Sequence, residues 1–299
     1  MRSQRYSKLE KRYFPKIYLF LLPTLILFAM FYLWPIIQVF FTAFTKWDGF
    51  NAPKFDIGNI FVNFNQLFKM RGFMPSLKNL LWWSVIAMTL HVGIGALVGF
   101  LLYQKLHGWK FVRAVFMIPN VISAAAWAMI YRFIFNADFG LLNGIIRTVD
   151  PQFNVNWFYH SPEAFWAITF TWLFYAVIVT LIVLADLMAI PQELHEAAEI
   201  DGASGWKKTL KIDLPLCRNS IGTGVILSVT SRIAMYENIA LTTRGGPGND
   251  TMGLAVLLVK SINDYNYGLA NSVALIMFVF GILVMLAVNR LFRMNDPVY

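Results

Sequence analysis

The feature that most limits what this chain can fold into is a set of apolar runs too long for a water-soluble core. Ala164 to Ala185 contains no charged residue, and neither does Leu269 to Asn289. A helix rising about 1.5 Å per residue needs about 20 such residues to cross a hydrocarbon layer about 30 Å thick. Six segments of the 299-residue chain reach or approach that length: 17–44, 78–103, 114–135, 164–190, 220–241 and 269–291. The fifth is the weakest, because Arg232 and Glu237 interrupt it. With 58% hydrophobic and only 14% charged residues, the composition excludes a soluble domain of ordinary type. Strands of a membrane barrel would show segments of about ten residues alternating with period two, which these runs do not. The expected fold is an all-α membrane protein of six transmembrane helices. The first apolar run exceeds a signal-peptide core and no small-residue cleavage site follows it, so it is expected to be a retained anchor.

Basic residues set the orientation. Arg2, Arg5, Lys8, Lys11, Arg12 and Lys16 precede the first span, and Lys105, Lys110 and Arg113 lie between the second and third. Lys207, Lys208, Lys211 and Arg218 fall between the fourth and fifth, and Arg290 and Arg293 follow the sixth. Fifteen of the 25 Lys and Arg residues therefore sit on one side, which the positive-inside rule makes cytoplasmic, together with both termini. The net charge of +9 reflects this topology; the basic residues flank lipid-embedded spans and form no patch suited to nucleic acid. Cys217, the single cysteine, has no partner for an internal disulfide. Outside, 45–77, 136–163 and 242–268 read as loops rich in Asn, Asp, Gly and Pro. Residues 1–76 are read as the tail, first helix and external loop, and 77–299 as a five-helix core.

One cytoplasmic connection is long and differs in character. From Pro191 it reads as two short helices: Glu193 and Glu196 suit the positive end of the first helix dipole, and Gly202 suits a left-handed stop. A second helix is expected to start near Ser204 and end before Leu214-Pro215. Leu194, Ala197, Ala198 and Asp201, at i, i+3, i+4 and i+7, make one flat face of small residues. A helix lying on anionic lipid would carry bulky apolar and basic residues instead, so this face is expected to dock on a cytosolic protein.

The run Glu196-Ala197-Ala198, three residues, Gly202, nine residues and Ile212-Asp213-Leu214-Pro215 resembles the EAA loop of permease subunits of binding-protein-dependent ATP-binding-cassette importers. "FVRAVFMIPNVISAAAWAMIYRFIF" (Phe111 to Phe135), "LTTRGGPGNDT" (Leu241 to Thr251) and "YNYGLANSVAL" (Tyr265 to Leu275) resemble the carbohydrate-uptake branch, the sugar permeases of maltose and glycerol-3-phosphate type. The resemblance implies the type I importer permease fold in a bacterial or archaeal cytoplasmic membrane. It also implies a second homologous permease subunit, two cytoplasmic ATPase subunits carrying ATP and Mg, an extracytoplasmic solute-binding protein and a carbohydrate substrate. The loop at 191–216 would then be the coupling element, with Glu196, Ala197, Ala198, Asp201, Gly202, Ala203, Ile212, Leu214 and Pro215 meeting the ATPase. Gly245, Gly246 and Pro247 would face the binding protein.

Charges within spans cost about 2.5 to 3.5 kcal/mol on insertion scales and are expected to face the bundle interior or water. Arg232 and Glu237 therefore either line a polar path or form internal ion pairs, with each other or with Asp186. Trp127, Tyr131, Trp172, Tyr175, Tyr236, Glu237 and Asn238 lie at similar depth; aromatic faces stack on sugar rings, although Trp and Tyr also populate interfacial belts. A stand-alone secondary transporter of a polar solute is the competing reading. Enzymatic readings fare poorly. His195-Glu196-Ala197-Ala198-Glu199 lacks the second His of a zinc-protease helix, the four histidines are scattered, and no G-x-x-x-x-G-K-[ST] occurs, so ATP must bind another chain.

Overall fold

The computed structural model describes residues 8–203 and 205–294, with side chains from residue 16 onward. Arg2, Arg5 and Ser204 lie outside the described residues, as do the side chains of Lys8, Lys11 and Arg12.

Four helices among the described residues are long and apolar enough to cross a membrane: Lys16–Thr42, Phe73–Tyr103, Glu163–Ala189 and Tyr267–Leu291. The expected third span is bent. Trp109–Val121 and Ala124–Ile134 meet at 107°. Pro119 draws the end of the first piece into a 3-10 turn, Ile122 and Ser123 are extended, and the Ser123 hydroxyl caps the second piece by accepting the Ala126 N–H at 3.2 Å. The expected fifth span is also interrupted: the helix Arg218–Ile233 stops, and a short helix Glu237–Ala240 resumes after a break. Glu163–Ala189 is broken in the same way between Leu173 and Val177.

The connections expected outside hold more regular structure than their turn-rich composition predicts. Thr45–Lys46 pairs antiparallel with Lys54–Phe55, and helices occupy Val62–Lys69, Leu141–Arg147 and Leu254–Asn263. Leu67 in the first of these helices and Leu257 in the last pack into the main core, and short apolar runs of this kind are obscured in sequence by the Asn and Gly around them.

Packing follows from small residues. Helix Phe73–Tyr103 meets Val177–Ala189 at Gly95 and Gly99, spaced four apart so that both fall on one face. A Cβ on Gly95 would lie 2.7 Å from the Cβ of Val179, and one on Gly224 only 3.1 Å from a methyl of the same valine. Val179 is thus the point at which three helices converge. The Thr180 hydroxyl seals the approach by donating to the Gly95 carbonyl at 2.9 Å. Around this contact Val92, Val183, Leu187, Val225, Val229 and Val273 form the main core. A second core, with Trp83, Ile168, Trp172, Met235 and Ile239, lies beside the broken spans. The first helix stands apart: residues 16–37 are exposed throughout, and it reaches the last helix only at its end, through Phe40 against Phe278 and the Asn271 amide donating to Thr42 at 2.6 Å.

Candidate functional site

Two sites emerge, one on the 191–216 loop and one among the broken spans. In the loop, Gln192–Ile200 is helical with Pro191 just before it, one residue later than the sequence suggests. Gly202 adopts φ +77°, the Ala203 N–H donates to the Ala198 carbonyl at 2.8 Å and the Gly202 N–H to that of Glu199 at 3.1 Å. This pair of bonds is a Schellman motif, which satisfies carbonyls that the helix end would otherwise leave unbonded.

The second helix begins at Trp206, and it does not end before Leu214-Pro215. It runs from Trp206–Lys208 through a π turn, Thr209–Asp213, into Leu214–Leu216. The wider turn lies where the ring of Pro215 would otherwise abut the carbonyl of Lys211, four residues back, so the helix passes the proline instead of stopping.

The expected docking face divides. Ala198 is buried, while Leu194, Ala197 and Asp201 are exposed. At about 100° per residue, Ala198 shares the inward face with His195. Exposed apolar side chains extend the outward face well beyond those small residues: Ile200 is 87% exposed, Trp206 68% and Leu210 58%. Glu196 and Gly202 are exposed, Ala203 and Ile212 half-buried, Leu214 and Pro215 exposed. The Glu196 carboxylate accepts from Gln192 at 2.9 Å, and Lys208 pairs with Glu199 at 2.9 Å. That lysine holds the Glu199 carboxyl below its ordinary range.

Among the spans, the helix breaks expose backbone carbonyls that neighbouring side chains take up. Trp127 Nε1 donates to the Thr171 carbonyl at 2.6 Å, and His91 Nδ1 lies 2.9 Å from that of Leu173. The Asn238 amide donates to the Thr171 hydroxyl at 2.8 Å. The Trp127 ring contacts both Tyr131, at 5.3 Å, and Tyr175, at 5.8 Å, and the Tyr175 hydroxyl donates to Asn120 at 2.8 Å. Arg232 lies over Trp172 with 4.1 Å between the guanidinium carbon and the ring centre, and His91 meets the same ring at 5.8 Å.

The structure therefore gathers Trp127, Tyr131, Trp172, Tyr175, Arg232 and Asn238 into one neighbourhood. Tyr236 is half-buried at the break and Glu237 is exposed. Neither ion pair considered for Arg232 forms: among the described residues it is bonded to neither Glu237 nor Asp186, and Trp172 takes the place of a carboxylate. Sequence reasoning missed His91, Asn120 and Thr171. His91 alone carried a signal, as a polar side chain within an apolar run.

Arg132, Tyr159, Thr242, Thr243 and Arg244 line a cavity of about 330 Å³. The adjoining loop is clamped: the Asn79 amide donates to the carbonyls of Asp250 at 2.8 Å and Met252 at 3.0 Å, and Thr251 donates to that of Gly246 at 2.6 Å. Gly245 is buried and Gly246 and Pro247 are half-buried, so the residues most open to a partner there are Arg244, Gly248 and Asp250.

A helical membrane bundle with bent and interrupted spans, and a pair of short exposed helices joining two of them, suits a membrane transport subunit. The chain belongs to the family described as binding-protein-dependent transport system inner membrane component, matching it over residues 91–298. It is 30% identical over 278 residues to the trehalose/maltose transport system permease protein MalF of Thermococcus litoralis, covering 91% of this chain and 92% of that one. It is 31% identical to the diacetylchitobiose uptake system permease protein NgcF of Streptomyces coelicolor, over 89% of this chain and 80% of the relative. A bacterial alginate ABC transporter, solved with an alginate pentasaccharide-bound periplasmic protein, contains a chain of the same fold: TM-score 0.76, 20% identity, covering 97% of this chain and 98% of that one.

Proposed function

We propose that this chain is the permease subunit of an ATP-driven importer that moves a carbohydrate received from an extracytoplasmic binding protein. In this reading it spans the cytoplasmic membrane six times with both termini inside, the bent and interrupted segments each counting as one crossing. It pairs with a second permease subunit, and two ATPase subunits, which hold ATP and Mg, dock on its 191–216 loop. The observation that carries the coupling is the loop itself: a helix closed by a Schellman turn, continuing into a second helix, with Ile200, Trp206 and Leu210 exposed on it. Apolar side chains presented so openly favour burial against a partner. The sugar names attached to the relatives, and the aromatic and amide cluster around Trp127, Tyr175 and Asn238, support a carbohydrate.

The test is affinity purification of the tagged chain from native membranes in mild detergent. Recovery of a second permease and an ATPase is the expected result. Recovery of this chain alone, still transporting without ATP, would return the assignment to a secondary transporter.

A further inference from the structure

The two helices of the cytoplasmic loop are joined by soft backbone. Gly202 and Gly205 both have positive φ, and no atom lies within 4 Å of where a Cβ would stand on either. Two side-chain pairs cross this hinge. Lys208–Glu199 is open to water, with the carboxylate 61% exposed, and is weakened by screening. The other is buried: His195 Nε2 stands 2.9 Å from Asp213 Oδ1, with the side chains only 12% and 4% exposed. Neither atom has any other polar partner among the described residues, so parting the two would leave both buried polar groups without a neighbour.

The position of the pair gives it a role. His195 precedes Glu196, so one turn of helix presents an acid outward and a ring inward. Behind the ring, Tyr103 at the cytoplasmic end of helix Phe73–Tyr103 meets it edge-on at 6.2 Å. On the other side, the Asp213 carbonyl accepts the Cys217 N–H at 2.9 Å, directly before the helix Arg218–Ile233 that carries Arg232.

We propose that the His195–Asp213 pair is a positioning clasp that makes the helix Gln192–Ile200 and the lead-in to Arg218–Ile233 move as one body. A displacement of the first is then passed to the span holding Arg232 and is not absorbed at the glycine hinge. This rests on the reading of 191–216 as the ATPase-coupling loop.

The intact importer, purified with its ATPase and second permease subunits, tests this. Spin labels go at Glu193→Cys, exposed and outside the apolar set Ile200, Trp206 and Leu210, and at Leu227→Cys, in a Cys217→Ala background. The distance between the labels is measured without nucleotide and with ATP and vanadate. The clasp predicts one narrow distance in both states, and in His195→Ala a nucleotide-dependent shift or broadening of at least about 2 Å, the scale of helix shifts in switching proteins. The exchanged pair His195→Asp/Asp213→His should restore the single narrow distance. An unchanged distance in His195→Ala would overturn the proposal. Should His195→Ala fail to assemble, the exchanged pair decides alone, and its failure to assemble or to hold the narrow distance overturns it equally. Glu196→Lys serves as the separate control: undiminished recovery of ATPase with that variant counts against the coupling loop itself, whatever His195 does.

Discussion

The guanidinium of Arg232 rests 4.1 Å from the centre of the Trp172 ring, and no carboxylate among the described residues pairs with it. A cation held over an aromatic face away from water gains about 2 kcal/mol, so Trp172 is the principal compensation for this buried charge. Trp172→Ala is expected to lower uptake per assembled complex by about tenfold or more, while Trp172→Phe keeps much of it because a ring face remains. Equal activity in the two variants would remove the aromatic face from the argument. If the same guanidinium also recognises solute, Arg232→Gln should lose uptake of an acidic trisaccharide such as trigalacturonate and keep that of maltotriose. Unchanged uptake of the acidic sugar would make the residue purely structural.

Gly95 and Val179 set how closely two spans approach. Because even a methyl at position 95 would fall 2.7 Å from the Val179 Cβ, Gly95→Ala forces the helices apart and is expected to cost about 1–3 kcal/mol, the usual price of overpacking. Val179→Ala in the same chain should recover part of that loss. Thermal unfolding of the purified complex for the two single variants and the double variant measures the coupling, and strictly additive effects would show that the contact is not the cause.

The long uncharged runs, the helix at 191–201 and its glycine stop were all legible in sequence, because each depends on local periodicity or on the backbone preference of one residue. What stayed hidden depends on neighbours distant in the chain. The break after Leu173 follows no proline or glycine, and its carbonyls are taken up by Trp127 and His91 from two other helices. Leu214-Pro215 reads as a stop by local rules, yet a π turn carries the helix past it. The small-residue face splits at Ala198, which shares its side of the helix with His195, and that ring meets Tyr103 and Asp213, residues far along the chain that no pattern within nine residues can announce.

Cys217 is buried beneath the loop, and burial, with the Asp186 and Asp213 carboxylates nearby, pushes its thiol up to about 12. The thiolate is the reactive form, and with a raised value the protonated thiol persists through the neutral range and well above it. Intact-protein mass after treatment of the folded complex with N-ethylmaleimide at pH 8 should therefore show no adduct, and unfolding in detergent should expose one site. Rapid labelling of the folded protein would contradict the burial.

Gly202 closes the helix Gln192–Ile200 at φ +77° with open space where a Cβ would stand. A substitution there meets no clash, so its cost is conformational: a left-handed geometry costs an ordinary L-residue about 1–2 kcal/mol, more for a β-branched one, and asparagine least. Gly202→Val is expected to unwind the Schellman turn and raise the ATP hydrolysed per solute imported, while Gly202→Asn stays near wild type. Glu196→Lys should give the same uncoupling by a different route, placing a cation where the exposed acid stands six residues earlier in the chain. The two variants separate under nucleotide-free pull-down. Loss of ATPase recovery is expected with Glu196→Lys alone, because Gly202 shapes the turn and Glu196 presents the charge. Wild-type coupling in Gly202→Val would mean that the left-handed turn can be relaxed without consequence, and that the exposed helix alone carries the contact.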